Sequence, residues 1–518
     1  MIYITPNKEQ VIVPWRADLK AVMPHAREVE HAGNKYLVFP NGPDENKVAR
    51  NLGVGLPAPI LTRYDWRGQK PWDVQRTTSA LLVESIRAYV LNAMGTGKTM
   101  SAIFAADYLL QNKVVNHVLI AAPLSTLTPV WEQELFKVIP QARVRVLHGS
   151  RDKRSSLLQD DAEWYIINHH GLPILAEEIG ARGIGIFIID ELAVFRNKST
   201  KLWKAAHAVV SAPSVKYAWG MTGSPTPSGP VDAWAQVRLL TPERTVRTML
   251  RFRDLTMHQL SQFRWVPKPE SVGIVHQAMQ PSVRFSLDDV VELPATSYVD
   301  RAVRLEPLAA DAYRKLVTKM ATVTAKGEPI SAVNEGILQN KLLQVACGYI
   351  YTDAGGVYQL PNNGRLDALR DTVGETDRKV IVFVPYIHAL QGITNFLRKH
   401  GETVELVYGG TSRNERDRIF RAFQNETTPR ILVAHPVCMS HGLTLTAANI
   451  IVWYAPVQSL ETYEQANARI VRPGQKHKTL IVHLLGTKVE SMTYARLKSR
   501  ARMQGLLLQL FQDQALEF

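Results

Sequence analysis

The chain has 518 residues, 46% of them hydrophobic and 21% charged, and this length is too great for one hydrophobic core. We therefore expect about two to four globular domains and, because no apolar run is long enough for a bilayer, no membrane-crossing helix. Lysine and arginine number 61 against 47 acidic residues, a net charge of +14 that favours either a polyanionic partner or a generally basic surface. Two cysteines, Cys347 and Cys438, suit a reducing compartment and lack zinc-site spacing, so we expect a cytoplasmic protein.

The first 240 residues divide into two parts by their pattern. Residues 1–60 are interrupted by proline and glycine and contain short alternating stretches, which indicate a small N-terminal accessory module. Residues 61–240 alternate helical patterns with short continuous apolar runs, which are typical of buried parallel strands. The strands predicted in this part are 118–123, 164–168, 184–189 and 217–222. The alternation predicts a doubly wound α/β lobe.

A glycine-rich turn lies within this lobe. Residues 92–99 read Asn-Ala-Met-Gly-Thr-Gly-Lys-Thr, and Gly95 and Gly97 allow a tight loop whose N–H groups point inward and bind anions. Lys98 is expected to contact the β- and γ-phosphates of ATP, and the Thr99 hydroxyl to ligate Mg²⁺. Asn92 departs from the full phosphate-loop pattern, which has glycine at this position.

Two adjacent carboxylates follow an apolar strand further along the same lobe, at Asp190 and Glu191. Asp190 is expected to hold the magnesium shell, and Glu191 to orient and deprotonate the attacking water. Together with the phosphate loop, these carboxylates predict an ATP-hydrolysing site.

The rest of the chain contains an irregular segment and a second lobe. Residues 241–295 form a predicted helical insert rich in basic and aromatic residues, namely Arg244, Arg247, Arg251, Phe252, Arg253, Phe263, Arg264 and Trp265. Such a mixture fits a nucleic-acid grip or, equally, an amphipathic insert with its aromatic residues in the core. Residues 296–500 form the second α/β lobe, with strands predicted at 379–383, 404–408, 430–434, 450–453 and 480–484. A helix is predicted over 489–515, and 501–518 is assigned as a C-terminal helix. Because only one lobe has a phosphate loop, we expect the second lobe to complete the site.

Seven motifs in this order resemble the Swi/Snf-type branch of helicase superfamily two over about residues 65–500. They are 92–99, 121–127 with Trp131, 190–200, 221–226, 408–416, 440–445 and 465–475. The wording of the last two, with Trp453 and residues 460–465 between them, is most similar to phage- and prophage-type members. The resemblance implies two RecA-like doubly wound parallel-sheet lobes with ATP in the cleft between them.

The family resemblance also implies roles for residues around ATP. Arg472 and Arg469 would reach across the cleft as arginine fingers, and Gln75 would read the adenine edge through its amide. The full set implied to contact the nucleotide is Gln75, Met94, Gly95, Thr96, Gly97, Lys98, Thr99 and Gly442, with Thr99 and Asp190 at the metal. Leu192-Ala193 stands where the family often has Ala-His, a departure that leaves Glu191 in place.

Nucleic-acid contacts are expected on the face opposite the ATP cleft. The implied residues are Ser125, Thr126, His169, Gly410, Thr411, Ser412 and Thr444, which offer backbone N–H groups and hydroxyls to phosphates. These donors do not distinguish base sequences, which suits a motor that binds any sequence. A metal site at His169 and His170 is disfavoured because no further ligands lie near them in sequence.

We interpret the sequence as a DNA-stimulated ATPase, an ATP-dependent DNA translocase or helicase that uses ATP and Mg²⁺. Its expected partner is duplex or forked DNA of any sequence, and the N-terminal module is a candidate contact for a protein partner. The alternatives are a strand-separating DNA or RNA helicase and a nucleic-acid-binding recruiter that uses ATP as a switch. The combination of Lys98, Asp190, Glu191 and Arg472 argues against the switch.

Overall fold

A computed structural model describes residues 2–261, 264–325, 332–351, 356–439 and 444–515. The N-terminal module forms an antiparallel sheet of four strands over its described residues, in the order β1-β2-β4-β3. Its elements are β1 (Tyr3–Ile4), β2 (Gln10–Pro14), α1 (Ala17–Val22), β3 (Arg27–His31), β4 (Asn34–Pro40), α2 (Pro43–Asn51) and α3 (Pro59–Arg63). Alternate residues of β2 and β4, including Val11, Val13, Leu37 and Phe39, form its small core.

The first lobe is built on a parallel sheet, as the apolar runs predicted. Its elements are α4 (Asp73–Glu84), β5 (Arg87–Val90), α5 (Lys98–Gln111), β6 (Val118–Ala122), α6 (Gln133–Val138), β7 (Val144–Leu147), α7 (Arg151–Gln159), β8 (Trp164–Asn168), α8 (Leu172–Ala181), β9 (Ile186–Asp190), α9 (Lys201–Val210), β10 (Tyr217–Met221) and α10 (Asp232–Leu240). Successive residues of β9 point to opposite hydrophobic clusters, Ile186 and Ile188 to one and Phe187 and Ile189 to the other. Helices therefore cover both faces of the sheet, which confirms the doubly wound fold.

The segment after the first lobe contains helices and also strands. Its elements are α11 (Met249–Thr256), β11 (Met257–Ser261), β12 (Arg264–Pro267), α12 (Ser271–Ala278) and β13 (Ser282–Val283). Strands β11 and β12 form an antiparallel hairpin, and β13 pairs in parallel with β5, with Ser282 opposite Tyr89. Within the described ranges the sheet of the first lobe thus has seven strands, in the order β13-β5-β10-β9-β6-β8-β7.

The arginines and aromatic residues of this segment have different environments. Phe252 is 1% exposed and packs in the core of the first lobe, whereas Arg247 and Arg251 are exposed. The guanidinium of Arg253 lies 4.0 Å from the ring centroid of Trp265. Phe263 lies outside the described residues. The core position of Phe252 fits the amphipathic insert, and a nucleic-acid contact by the exposed arginines stays a prediction.

The second lobe repeats the architecture. Its elements are β14 (Thr296–Ala302), α13 (Pro307–Ala325), α14 (Ala332–Ala346), β15 (Tyr349–Tyr351), β16 (Val357–Gln359), α15 (Asn363–Gly374), β17 (Lys379–Phe383), α16 (Ile387–Lys399), β18 (Val404–Val407), α17 (Arg413–Asn425), β19 (Ile431–Ala434), β20 (Ala448–Trp453), α18 (Leu460–Asn467) and β21 (Thr479–Leu485). In the described part of this lobe a parallel sheet of six strands has the order β14-β21-β20-β17-β19-β18. Along β17, Val380 and Val382 face one hydrophobic cluster and Ile381 and Phe383 the other.

The C-terminal helix α19 (Lys488–Ala515) joins the two lobes. Its first half contributes Tyr494 and Leu497 to a core cluster of the second lobe. Its second half contributes Leu507, Leu508 and Phe511 to the core of the first lobe, against α12. Among the described residues, no helix is both long and apolar enough to cross a membrane.

Candidate nucleotide site between the two lobes

Residues 92–97 of the glycine-rich motif form a tight loop, and α5 begins at the next residue, Lys98. Gly95 and Gly97 have φ angles of +86° and +79°, which are favourable only for glycine. A Cβ on Gly97 would lie 2.0 Å from the Nε2 atom of Gln75, so this position also requires the absence of a side chain. Lys98 Nζ donates to the carbonyl oxygens of Asn92 and Ala93 at 2.9 and 3.1 Å. The loop leads directly into the N-terminus of α5, where Lys98 is the first helical residue, and a helix N-terminus of this kind binds phosphate.

Asn92, which stands where the phosphate-loop pattern has glycine, makes two hydrogen bonds through its side chain. Its side-chain Nδ2 donates to the Thr78 hydroxyl at 2.9 Å, and its Oδ1 accepts the backbone N–H of Phe285 at 2.9 Å. Asn92 is 1% exposed, so these bonds pair groups that would otherwise be buried without partners. The residue therefore connects the loop to α4 and to the segment that follows β13.

The two carboxylates lie at the end of β9, beside the loop. Asp190 accepts the indole N–H of Trp131 at 2.9 Å, and burial raises its pKa against that hydrogen bond. Glu191 has a φ of +53°, which is uncommon for a residue with a side chain and directs it away from the strand. Burial and then the Asp190 carboxylate raise the pKa of Glu191 to about 8. Burial lowers the pKa of Lys98, against the attraction of these two carboxylates.

Arg469 and Arg472 reach the same cavity from the second lobe. Arg469 follows α18, is 5% exposed, and donates its Nε–H to the carbonyl oxygen of Gln465 at 2.8 Å. Burial and then the neighbouring Arg472 lower the pKa of Arg469 to about 9, with Glu191 acting in the opposite direction. Burial also lowers the pKa of Arg472. Both arginines therefore lie in a partly desolvated setting in which an anion is bound strongly.

A cavity of about 410 Å³ is lined by the phosphate-loop lysine, the two carboxylates and the two arginines. Residues of both lobes line it, namely Gln69, Lys70, Trp72, Gln75, Met94, Gly95, Gly97, Lys98, Thr99, Met100, Pro123, Thr126, Pro129, Val130, Glu134, Asp190, Glu191, Thr444, Ala468, Arg469 and Arg472. Every residue predicted as catalytic is in this set. The volume lies in the range of small-molecule sites, and its chemistry suits a polyanion.

The remaining nucleotide-contact candidates are placed as follows. Gln75 lines the cavity at the start of α4, where its Oε1 accepts the backbone N–H of Trp72 at 2.9 Å. Met94 also lines it, whereas Thr96 is 1% exposed and its hydroxyl donates to the Ala93 carbonyl at 2.9 Å. Gly442 lies outside the described residues.

The predicted nucleic-acid residues do not form one surface. Thr126 and Thr444 line the nucleotide cavity, and the Thr126 hydroxyl donates to Pro123 O at 2.9 Å. His169 is 5% exposed, its Nε2 lies 2.8 Å from the carbonyl oxygen of Asp190, and burial lowers its pKa to about 4. Ser125 is exposed.

On the second lobe, Gly410, Thr411 and Ser412 form the turn before α17. Gly410 and Ser412 are exposed, and the Ser412 hydroxyl caps the helix by accepting Glu415 N–H at 3.3 Å. The Thr411 hydroxyl accepts the backbone N–H of Tyr408 at 3.1 Å. This turn therefore offers backbone donors at the N-terminus of a helix.

Three contacts near the site could not be predicted from the sequence. They are the Trp131–Asp190 hydrogen bond and two links between the lobes, Arg196–Glu461 at 3.6 Å and Ser224–Glu464 at 3.0 Å. Trp131 belongs to the motif that begins at residue 121, and this position is a sequence signal for a role at the site. Glu461 and Glu464 look like the solvent face of an amphipathic helix, and pattern alone gives them no other role.

Two family models and several known proteins match this chain. The SNF2-related domain matches residues 85–347, and the helicase conserved C-terminal domain matches residues 364–474. Protein p41 of Acyrthosiphon pisum secondary endosymbiont phage 1 is 26% identical over 451 residues, 83% of this chain and 95% of that protein. An uncharacterized ATP-dependent helicase of Mycoplasma pneumoniae is 25% identical over 76% of this chain, which spans 37% of its length.

A solved structure, the Sulfolobus solfataricus SWI2/SNF2 ATPase core in complex with dsDNA, is 20% identical, with a TM-score of 0.41. It covers 86% of this chain, which in turn covers 94% of it.

The two lobes and the composition of the cavity between them define an ATP-hydrolysing enzyme of the helicase and translocase class. The SNF2-related domain matches more than half of this chain, and the chain therefore belongs to the SNF2-related family. Its similarity to the phage protein agrees with the phage-type wording of its last two motifs.

Proposed function

We propose that this protein couples ATP hydrolysis in the interlobe cavity to translocation along duplex DNA. One observation supports the proposal most directly. The phosphate loop and both carboxylates of the first lobe share a single cavity with two arginines of the second lobe. A nucleotide bound there contacts both lobes, so its binding favours closure and its hydrolysis and release favour opening. Alternating closure of two lobes on a DNA strand is a route to directional movement.

We assign Lys98 to the β- and γ-phosphates, Glu191 to the attacking water, and Arg469 and Arg472 to the charge that develops on the γ-phosphate. The planar guanidinium fork of arginine pairs with two phosphate oxygens at once. Gln75, at the cavity wall, is assigned to the adenine edge.

The donor set also fits Mg²⁺. Thr99 and Asp190 line the cavity together, and a hydroxyl with a carboxylate is the hard oxygen set that Mg²⁺ binds beside phosphates. The Trp131 indole N–H binds one oxygen of Asp190, and the other oxygen accepts the backbone N–H of Glu191 at 3.1 Å. When bound, the ion would neutralise phosphate charge, and Thr99 and Asp190 would hold and orient it.

For DNA we propose contacts at Ser125 and at the 410–412 turn, where exposed hydroxyl and backbone N–H groups suit phosphates. The net charge of +14 supports a polyanionic partner. The exposed arginines near α11 add a candidate contact that does not discriminate between sequences. A protein partner for the N-terminal module remains a second, separate proposal.

The decisive experiment measures the ATPase rate with single-stranded, duplex and forked DNA and with RNA. Duplex DNA is expected to stimulate strongly, and ATP is expected to drive displacement of a third strand from a triplex without unwinding the duplex. Unwinding of a forked duplex would instead favour a strand-separating helicase. An ATPase rate that no nucleic acid changes would favour the nucleotide switch.

A further inference from the structure

Helix α18 contacts the first lobe through two carboxylates. Glu461 and Glu464 are three residues apart and so lie on neighbouring positions of one helix face. Glu461 pairs with Arg196 at 3.6 Å in a partly exposed setting, where an ion pair stabilises little. Glu464 instead accepts the hydroxyl of Ser224 at 3.0 Å. The Glu464–Ser224 hydrogen bond is therefore the stronger candidate for a functional link between the lobes.

The Glu464 carboxylate connects three parts of the molecule. The same oxygen that binds Ser224 also accepts the side-chain amide of Gln504, on α19, at 3.2 Å. Burial raises the pKa of Glu464, while these two hydrogen bonds and then the charge of Arg284 act in the opposite direction. Arg284 belongs to the segment after β13 and donates to the carbonyl oxygen of Leu91, just before the phosphate loop.

On the first lobe, this link ends beside the phosphate-binding lysine. Ser224 is 5% exposed and lies directly after Gly223. A Cβ on Gly223 would be 3.6 Å from the carbonyl oxygen of Asn92 and 3.8 Å from Lys98 Nζ. Ser224 therefore directly follows a residue that lies beside Lys98 and the start of the phosphate loop.

On the second lobe, the link leads to the arginines. Gln465 follows Glu464, and its carbonyl oxygen accepts the Nε–H of Arg469 at 2.8 Å. The carbonyl oxygen of Arg469 in turn accepts the backbone N–H of Leu445 at 3.0 Å. These two hydrogen bonds restrict the Arg469 side chain and backbone, so the position of α18 at Glu464 largely determines where the Arg469 guanidinium lies.

We propose that Glu464 is a positioning residue: by binding Ser224, it sets the distance between α18 and the phosphate loop and so aligns Arg469 and Arg472 in the cavity. This inference rests on the roles proposed above for the two arginines. Reactions of this kind depend strongly on geometry, since a displacement of about 1 Å in the reacting groups can cost on the order of 100-fold in rate. Loss of the link is expected to reduce the rate of the chemical step and to leave nucleotide binding by the first lobe almost unchanged.

The test compares Glu464→Leu, Glu464→Gln and Ser224→Ala in the full chain. We expect Glu464→Leu and Ser224→Ala each to lower kcat about tenfold, with KM for ATP and the affinity for a fluorescent ATP analogue within about twofold of wild type. Glu464→Gln keeps an oxygen that accepts the Ser224 hydroxyl and should retain most of the rate. The double variant Ser224→Ala/Glu464→Leu should be no slower than either single variant, because both remove one link. Glu426→Leu, at an exposed glutamate of the same lobe, is the matched control.

Two further measurements separate the explanations. The melting temperature of each variant shows whether a loss of rate follows from a loss of folding. Unchanged kcat in Glu464→Leu, additive losses in the double variant, or a loss that disappears after correction for the folded fraction would overturn the inference. Arg472→Ala is assayed in parallel: full activity in that variant contradicts the proposed function itself, whereas a loss there with an unaffected Glu464→Leu contradicts only the role of Glu464.

Discussion

At the scale of single residues, Glu191 links the geometry to a measurable pH dependence. A general base acts when ionised, and the pKa of Glu191 is raised to about 8 by burial and by Asp190. We therefore expect kcat/KM for ATP to rise about tenfold per pH unit below pH 8 and to level off above it, because kcat/KM reports the free enzyme. Glu191→Gln should bind ATP but show a low rate without this rise. A profile for the wild type that is flat between about pH 6.5 and 9 would exclude Glu191 as the base.

Arg472 is expected to act on the transition state more than on the ground state. Its replacement by Ala should lower kcat by roughly 10³-fold while ATP affinity stays close to that of the wild type. Replacement by Lys should restore little activity, because the planar fork is lost. Steady-state kinetics measure the change in kcat, and direct nucleotide-binding measurements show whether the affinity for ATP has changed. If Arg472→Ala weakens only DNA binding, the residue belongs to the nucleic-acid surface.

Asn92 offers a test of stability rather than catalysis. Asn92→Gly restores the usual loop residue but leaves the buried N–H of Phe285 without its partner. We expect the free energy of unfolding to fall by about 1–3 kcal/mol, the usual cost of such a group. Chemical denaturation measures this, with Asn425→Gly at the exposed end of α17 as control. Equal or greater stability of Asn92→Gly would show that the side-chain bonds contribute nothing.

At the scale of elements, the sequence predicted those strands that can be recognised from a continuous apolar run of neighbouring residues. The strands β8 and β17 have the predicted bounds, because buried parallel strands are continuous apolar runs. Strand β13 was missed, since it has only two residues and pairs with β5, almost two hundred residues earlier. The same distance in sequence separates Asn92 from Phe285 and hides the role of that asparagine. The candidate catalytic residues that share the cavity lie in local motifs and could be identified from the sequence, whereas the long-range contacts around them could not.

The segment around α11 yields a prediction at this scale. Arg244, Arg247 and Arg251 are exposed, so their joint replacement by Ala should weaken DNA binding about equally for all sequences. Each lost phosphate contact should reduce the slope of log affinity against log salt by about 0.7–0.9. Phe252→Ala is the structural counterpart: it removes a core side chain and should destabilise by about 3–5 kcal/mol without altering that slope. An unchanged slope in the triple variant would remove this segment from the DNA site.

At the scale of the whole molecule, the two lobes are not independent units joined by a linker. The helix α19 leaves the second lobe and inserts Leu507, Leu508 and Phe511 into the core of the first lobe. The same helix supplies Gln504, which binds Glu464 between the lobes. Closure of the cavity therefore requires α19 to bend or to move with α12, on which it packs. Because α19 contributes to both cores, we expect it to couple the folding of the two lobes.

This coupling predicts how the protein unfolds. We expect the wild type to show one cooperative transition in differential scanning calorimetry, because α19 contributes to both cores. Replacing Leu507 and Phe511 together by Ala removes its hold on the first lobe, with each large-to-small change costing about 2–5 kcal/mol. The transition should then split, and the earlier part should belong to the first lobe, which ATP analogues would shift upward because they bind there. Leu506→Ala, at a side chain that is 49% exposed on the same helix, should leave the single transition in place. One unsplit transition at the wild-type temperature in the double variant would mean that α19 does not couple the lobes.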